Sequence, residues 1–186
     1  MGRCKVLIML GSPRKDGNST TLARAFAKGA ESAGHIVQFF DAARAEISGC
    51  HGDNSCVERG SCGIPDDGQK MAELMEWADV LVLATPLYFG SYSSQLKRAI
   101  DRFHVFVTPK GKEKLKIKKC YIIATGKAKD ADMFDGLELE FEHLNKALGS
   151  HPGGRLLIGE LSGAEDAAGK DYLLKRASDL GYKVGW

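Results

Sequence analysis

The sequence predicts an α/β fold in which a parallel sheet is covered on both faces by helices, and three observations carry that prediction. Short apolar runs of strand length alternate with longer segments of helical period along the chain. The runs are rich in Val, Ile and Leu without clean polar alternation, as expected of strands buried on both faces. Each parallel strand needs a crossover back to the starting edge, and the intervening segments are long enough to provide it as a helix.

The first run, Lys5–Leu10, ends at Gly11, and the helical segment Thr20–Ala33 follows, with Asn18, Ser19 and Thr20 as candidate caps and Gly34 as its stop. Ile36–Phe40 is the second strand. Pro65–Trp77 is the second helix, where Pro65, Asp66 and Asp67 make a favourable first turn because a helix N-terminus attracts negative charge. Val80–Ala84 is the third strand. The third helix is expected over Ser93–Val107, with Leu96, Ile100 and Phe103 on one core-facing stripe and Lys97 and Asp101 as an exposed pair of small energy. The strands Cys120–Ala124 and Leu156–Ile158 and the helices Gly136–Leu148 and Lys170–Leu180 complete the pattern. No linker, repeat or low-complexity stretch divides it, so residues 1–186 are expected to form a single domain.

Composition excludes several classes. With 186 residues, 44% apolar and 27% charged, the chain can bury a core, which argues against disorder and fibrous structure. The 26 basic and 24 acidic residues nearly cancel, leaving no general field for nucleic acid. One basic run, Lys110–Lys119, lacks aromatic interleaving and leads into a strand, so it reads as a solvated loop rather than a phosphate patch. No signal-peptide pattern follows Met1 and no apolar run is long enough to span a bilayer, so a cytoplasmic location is expected, with neither nucleic acid nor membrane as partner. Five cysteines, an odd number, favour free thiols or ligands over a disulfide framework. Cys4 and Cys120 lie in or beside strand patterns and are expected as small buried hydrophobes.

The segment Gly11–Thr20 lies between the first strand and the first helix, where unpaired backbone N–H groups face an incoming anion. Its glycines permit a tight turn, Ser12, Asn18, Ser19 and Thr20 supply donors, and Arg14 brings a planar charged fork suited to phosphate or a flavin edge. A loop that only caps the helix is the alternative. A nucleotide P-loop requires Gly-x4-Gly-Lys-Ser/Thr, but here five residues separate Gly11 from Gly17 and Asn18 stands in place of the lysine. The Gly-x-Gly-x-x-Gly pattern of dinucleotide folds is also absent after the first strand.

Gly11-Ser-Pro-Arg with Gly17-Asn-Ser-Thr, together with Pro86-Leu-Tyr-Phe-Gly-Ser-Tyr-Ser-Ser-Gln-Leu-Lys-Arg-Ala-Ile-Asp-Arg, resembles the NADPH-dependent FMN reductase and iron-sulfur flavoprotein branch of the flavodoxin-like superfamily. The similarity covers Lys5–Phe103 well and the remainder only by pattern. It implies a flavodoxin-like three-layer sandwich with a five-stranded parallel sheet of order 2-1-3-4-5 and FMN beyond the C-terminal strand ends. The resemblance further implies that Ser12, Arg14, Asn18, Ser19 and Thr20 hold the FMN phosphate. Pro86, Leu87, Tyr88, Phe89 and Gly90 would follow the flavin from ribityl chain to ring, and Thr125 and Gly126 would complete the pocket. Core or interface packing is the alternative for Tyr88 and Phe89. Related proteins form dimers or tetramers, so a homodimer or homotetramer is expected.

Cys50, Cys56 and Cys62 precede the second helix, where iron-sulfur flavoproteins carry Cys-x2-Cys-x2-Cys and a fourth cysteine. Asp53 replaces the second cysteine, leaving three thiolates where a four-iron cluster takes four. A cluster with an oxygen ligand, a zinc site using His51 or Asp53, a redox-active pair and a vestigial loop covering the flavin edge all remain open. The vestigial loop is preferred, making the loop part of a lid or subunit contact.

The function implied is an FMN-dependent NAD(P)H oxidoreductase that passes electrons from NADPH or NADH to a quinone, free flavin, nitro compound or metal ion. A flavodoxin-type or iron-sulfur flavoprotein electron carrier between protein partners is the alternative. Flavodoxin carriers are typically strongly acidic, whereas this chain has a pI near 8.2. Because the chemistry belongs to the flavin, no catalytic side chain is assigned; His35, His51, His104, His143 and His151 are scattered.

Overall fold

Five strands, β1 (Lys5–Leu10), β2 (Ile36–Asp41), β3 (Val80–Pro86), β4 (Lys119–Thr125) and β5 (His151–Ile158), pair in parallel in the order β2-β1-β3-β4-β5. The structure is a computed structural model that describes residues 2–127 and 129–185. Its helices are α1 (Asn18–Ser32), α2 (Ser55–Arg59), α3 (Gly68–Trp77), α4 (Ser94–Asp101), α5 (His104–Val107), α6 (Pro109–Lys112), α7 (Asp135–Leu148) and α8 (Asp171–Tyr182). The strand order is the one the resemblance implies. Chain direction across the sheet reverses between β1 and β3, so their C-terminal ends open a crevice at the point where α/β sheets bind ligands.

Side-chain alternation divides the interior into two cores. Val6 and Ile8 face α1 and α8, packing with Leu22, Phe26, Leu173 and Ala177. Leu7 and Met9 face the opposite side, packing with Met71, Met75, Leu96, Phe106 and Phe141. Truncating a fully buried phenylalanine such as Phe26 to alanine would cost about 3–5 kcal/mol. Helices α1 and α8 meet backbone to backbone. A Cβ on Gly29 would run into the Ser178 carbonyl, and one on Gly181 into the Phe26 carbonyl. Cys4 and Cys120 are buried as expected, and burial pushes the Cys120 thiol up to about 12.

Several boundaries differ from the sequence expectation for physical reasons. β5 begins at His151 rather than Leu156, with Pro152, Gly153 and Gly154 inside the strand. The sheet edge tolerates the missing N–H of Pro152, and the Tyr121 ring fills the space where a Gly153 side chain would stand. The expected helix Ser93–Val107 is broken into α4 and α5, with Arg102 turned inward between them. Its guanidinium donates to the Ser48 carbonyl at 3.0 Å and to both Asp66 oxygens at 2.8 and 3.1 Å.

The same contact moves the start of the second helix from Pro65 to Gly68. Asp66 is therefore an anchor for Arg102 and Ser48 and also accepts from the Gly68 N–H at 2.9 Å, rather than a first-turn dipole partner. The stripe Leu96, Ile100 and Phe103 does join the core, and the Lys97–Asp101 pair forms at 2.6 Å on the surface. The basic run is not simply a solvated loop: Lys110 and Lys114 donate to the Glu58 and Gly60 carbonyls, docking α6 against α2. No helix among the described residues is long and apolar enough to cross a membrane.

Candidate functional site

The loop after β1 is shaped by its contact with α4. Gly11 donates its N–H to the Ala84 carbonyl at 2.8 Å, while its own carbonyl accepts from Ser93 Oγ at 2.6 Å. A Cβ at Gly11 would lie 2.7 Å from Leu96 Cβ, so only glycine lets the loop and α4 approach this closely. Ser93 is fully buried, accepts from the Leu96 N–H as the N-cap of α4, and takes its own N–H to Thr85 Oγ1. The two motifs that carry the resemblance are thereby joined through one hydroxyl.

Beyond Gly11 the chain turns over a small cradle. Ser12 is buried and its Oγ accepts from the Arg14 N–H at 3.2 Å. A Cβ on Gly17 would approach Ser12 Oγ to 2.6 Å and fill the cradle. The first backbone bond of α1 runs from Thr21 to Gly17, so the N–H groups of Asn18, Ser19 and Thr20 have no acceptor within the helix and meet an anion with the positive end of its dipole. Gly17, not Asn18, Ser19 or Thr20, is the N-cap, and no side chain caps it. Asn18 instead reaches across the cleft, donating to the Gly163 carbonyl and accepting from the Ala167 N–H.

The loop after β3 supplies the second wall. Tyr88 and Ser91 exchange both backbone hydrogen bonds at 3.1 Å around Phe89 and Gly90, whose φ angles are +50° and +76°. Two central residues with positive φ mark the type I′ hairpin turn, in which Phe89 is sterically strained. Its ring is fully exposed and Tyr88 is 44% exposed, so neither packs in the core. The tip is fixed from below, since a Cβ on Gly136 in α7 would meet the Gly90 carbonyl at 2.9 Å.

These loops enclose one cleft of about 320 Å³ at the C-terminal edge of the sheet. The expected residues Ser12, Arg14, Asn18, Ser19, Pro86, Leu87, Tyr88, Phe89, Gly90, Thr125 and Gly126 all line it. Thr20 does not: its side chain is buried in the first turn of α1, outside the cleft lining. Sequence reasoning missed Lys127, Met133 and the stretch Leu161–Ala164, which also line the cleft. Lys127 directly follows the expected Thr125-Gly126 pair, so position alone could have suggested it; Leu161–Ala164 carries no such signal. The side chains of Arg14 and Lys127 have no hydrogen-bonding or ionic partner among the described residues, leaving two cations open to the cleft. The volume suits a small ligand or cofactor. A cradle that a Cβ would fill, free helix amides and unpaired cations form a donor set fitted to a phosphate-bearing group such as FMN.

The cysteine loop forms a different site. Cys50, Cys56 and Cys62 line a separate pocket of about 220 Å³ with His51, Asp53 and His104, sharing no residue with the cleft. The loop's own anchors lie away from that cleft. Lys110 and Lys114 hold the turn after α2, while Arg102 and Asp66 fix the segments that flank the loop. Asp53 lies at the start of α2, where its Oδ1 accepts from the Ser55 N–H at 2.9 Å, and it lines the same pocket as the three cysteines. Burial pushes the Cys56 thiol up, and Cys62, Cys50 and Asp53 add to the effect. Among the described residues no three His, Cys, Asp or Glu side chains converge to hold a metal ion. With three cysteines the loop is one thiolate short of the four that a four-iron cluster takes. Of the histidines, His35 is structural: its Nδ1 accepts from the Cys4 N–H and its Nε2 donates to the Val184 carbonyl.

Comparison with known proteins agrees with this geometry. An iron-sulfur flavoprotein of Methanocaldococcus jannaschii is 40% identical over 98 residues, covering 53% of this chain and 51% of that protein. The chain thus spans about half the length of the curated relatives it matches first. A Bacillus subtilis protein, provisionally described as an NAD(P)H-dependent FMN-containing oxidoreductase, is 28% identical over 78% of this chain and 79% of its own length. Among solved structures, an NAD(P)H:quinone oxidoreductase from Methanothermobacter marburgensis superposes with a TM-score of 0.80 at 18% identity, covering 100% of this chain and 98% of that one, which establishes the shared fold. The family model described as NADPH-dependent FMN reductase matches residues 4–144, and the chain belongs to that family.

Proposed function

We propose that the chain is an FMN-dependent NAD(P)H oxidoreductase that passes electrons from a nicotinamide donor through bound FMN to a small acceptor such as a quinone, free flavin, nitro compound or metal ion. The observation that carries this reading is the convergence of the phosphate-type cradle, the Pro86–Gly90 wall and Thr125-Gly126 on one cleft at the sheet's switch point. In this reading Ser12, Ser19 and the free amides of α1 hold the phosphate, and Arg14 neutralises its charge. Pro86–Gly90, Thr125 and Gly126 orient the flavin, and Lys127 adds positive charge at the same opening. When bound, FMN supplies the two-electron chemistry that joins a nicotinamide to an acceptor. The exposed Tyr88, Phe89 and Met133 at the rim are available to a flat substrate or to a second subunit of a homodimer or homotetramer.

The names of the archaeal relatives favour a second reading, an electron carrier of iron-sulfur flavoprotein type. The cysteine loop, which supplies three thiolates where a four-iron cluster takes four, opposes it. The deciding experiment follows the absorbance of anaerobically purified, FMN-reconstituted protein during NADPH or NADH addition, together with iron quantitation. Rapid flavin bleaching with less than about one iron per chain is expected. Bleaching by dithionite alone would overturn the reductase reading in favour of the carrier, and about four irons per chain would restore the cluster.

A further inference from the structure

We propose that Asn18 is a positioning residue that clamps the segment Leu161–Ala167 across the cleft, rather than a direct ligand of the cofactor phosphate; this rests on the reading that FMN occupies the cleft. Both ends of its amide are engaged away from the cradle. Nδ2 donates to the Gly163 carbonyl at 2.9 Å and Oδ1 accepts from the Ala167 N–H at 2.8 Å, partners 145 and 149 residues distant in sequence. The Asn18 backbone N–H remains free at the start of α1, so the residue can serve the anion through its main chain while its side chain serves the wall.

The clamped segment forms a substantial part of the cleft, since Leu161, Ser162, Gly163 and Ala164 all line it. It has three ties. At its root, Leu161 donates its N–H to the Gly126 carbonyl at 3.0 Å, close to the Thr125-Gly126 wall. Within it, Asp166 accepts from the Gly163 N–H at 2.7 Å. Asn18 supplies the third, holding the segment at Gly163 and at Ala167, and of the three it alone reaches the phosphate loop. Leu161 and Ala167 are buried at either end, so the segment is seated at both ends and its middle spans the opening. Closing the clamp therefore joins the cradle after β1 to the wall after β5, and opening it frees the wall while leaving Ser12, Arg14 and the free amides in place.

The two roles predict different ligand selectivity. A direct phosphate ligand acts on FMN but not on riboflavin, which lacks the phosphate, whereas a wall clamp acts on both alike. Apoprotein of wild type, Asn18→Ala, Asp166→Ala and the double variant would be titrated with FMN and with riboflavin by fluorescence quenching. Each single variant should weaken both flavins by a similar factor, about 5- to 20-fold, leaving the FMN-to-riboflavin affinity ratio within about twofold of wild type. The double variant should lose less than the product of the single losses, because both act on one segment. A selective loss of FMN with riboflavin retained would overturn the clamp.

Amide exchange in the apoproteins gives a readout that does not require a flavin. The Ala167 amide and its neighbours in the segment should exchange faster in Asn18→Ala than in wild type, and unchanged exchange would also overturn the proposal. If wild type binds neither flavin, the FMN reading fails while the exchange comparison still decides the clamp.

Discussion

Replacing Ser93 with alanine tests how the two loops of the cleft are held together. The hydroxyl makes two bonds inside a fully buried site, donating to the Gly11 carbonyl at 2.6 Å and accepting from the Leu96 N–H at 3.3 Å. Loss of a helix N-cap costs about 1 kcal/mol. The buried Gly11 carbonyl, deprived of its donor, adds about 1–2 kcal/mol. The expected destabilisation is thus about 2–3 kcal/mol, which at a urea slope of about 2 kcal/mol/M lowers the apoprotein midpoint by about 1–1.5 M. Because the same bond fixes the first residue of the phosphate loop, FMN affinity should fall by about tenfold as well. The neighbouring Ser94→Ala is the control: its hydroxyl meets only Gln95 Oε1 at 3.3 Å on the surface, and it should stay within about 0.5 kcal/mol of wild type. A Ser93→Ala midpoint within about 0.2 M of wild type, with unchanged FMN affinity, would refute the idea that this hydroxyl joins the two motifs.

Two further predictions address the core and the rim. The Arg102–Asp66 pair, with side chains only 1% and 12% exposed, should make Asp66→Asn destabilising by about 3 kcal/mol in urea unfolding at neutral pH. Burial by itself would raise the Asp66 carboxyl, but hydrogen bonds from Arg102, Ser48 and Gly68 overcome it and hold the group well below the usual carboxylate range. The unfolded chain then binds this proton first as pH falls, so the stabilisation is complete above about pH 5 and drains away below about pH 4. Wild type should lose stability over that window more steeply than Asp66→Asn, and equal slopes would count against the assignment. At the rim, Phe89 combines a φ of +50° with a fully exposed ring, so Phe89→Gly should raise apoprotein stability or leave it unchanged, by at most about 1 kcal/mol. Turnover with a nicotinamide donor should nevertheless fall; a variant that is both less stable and fully active would show that the strain has no role in the site.

The sequence by itself determined the strands and the location of the cleft, because the relevant information is local. Strands buried on both faces must be apolar throughout, so Lys5–Leu10 and Val80–Ala84 were legible from composition, and the glycines and hydroxyls of Gly11–Thr20 had to follow a strand and open a helix to make an anion cradle. Even the strand order came from a resemblance carried by two short motifs rather than from any local pattern. Tertiary structure decided what depends on partners distant along the chain. Arg102 broke a well-patterned helix because Asp66 and the Ser48 carbonyl offered a buried guanidinium three hydrogen bonds. Asn18 turned away from the cradle towards Gly163 and Ala167, and Leu161–Ala164, without any motif, became a wall of the cleft. The Ser93–Gly11 bond spans 82 residues and the Asn18–Gly163 bond 145. A short-range pattern records which backbone conformation a segment prefers and which side it buries, whereas the partner that satisfies a polar side chain is fixed only when the sheet brings distant loops to one edge.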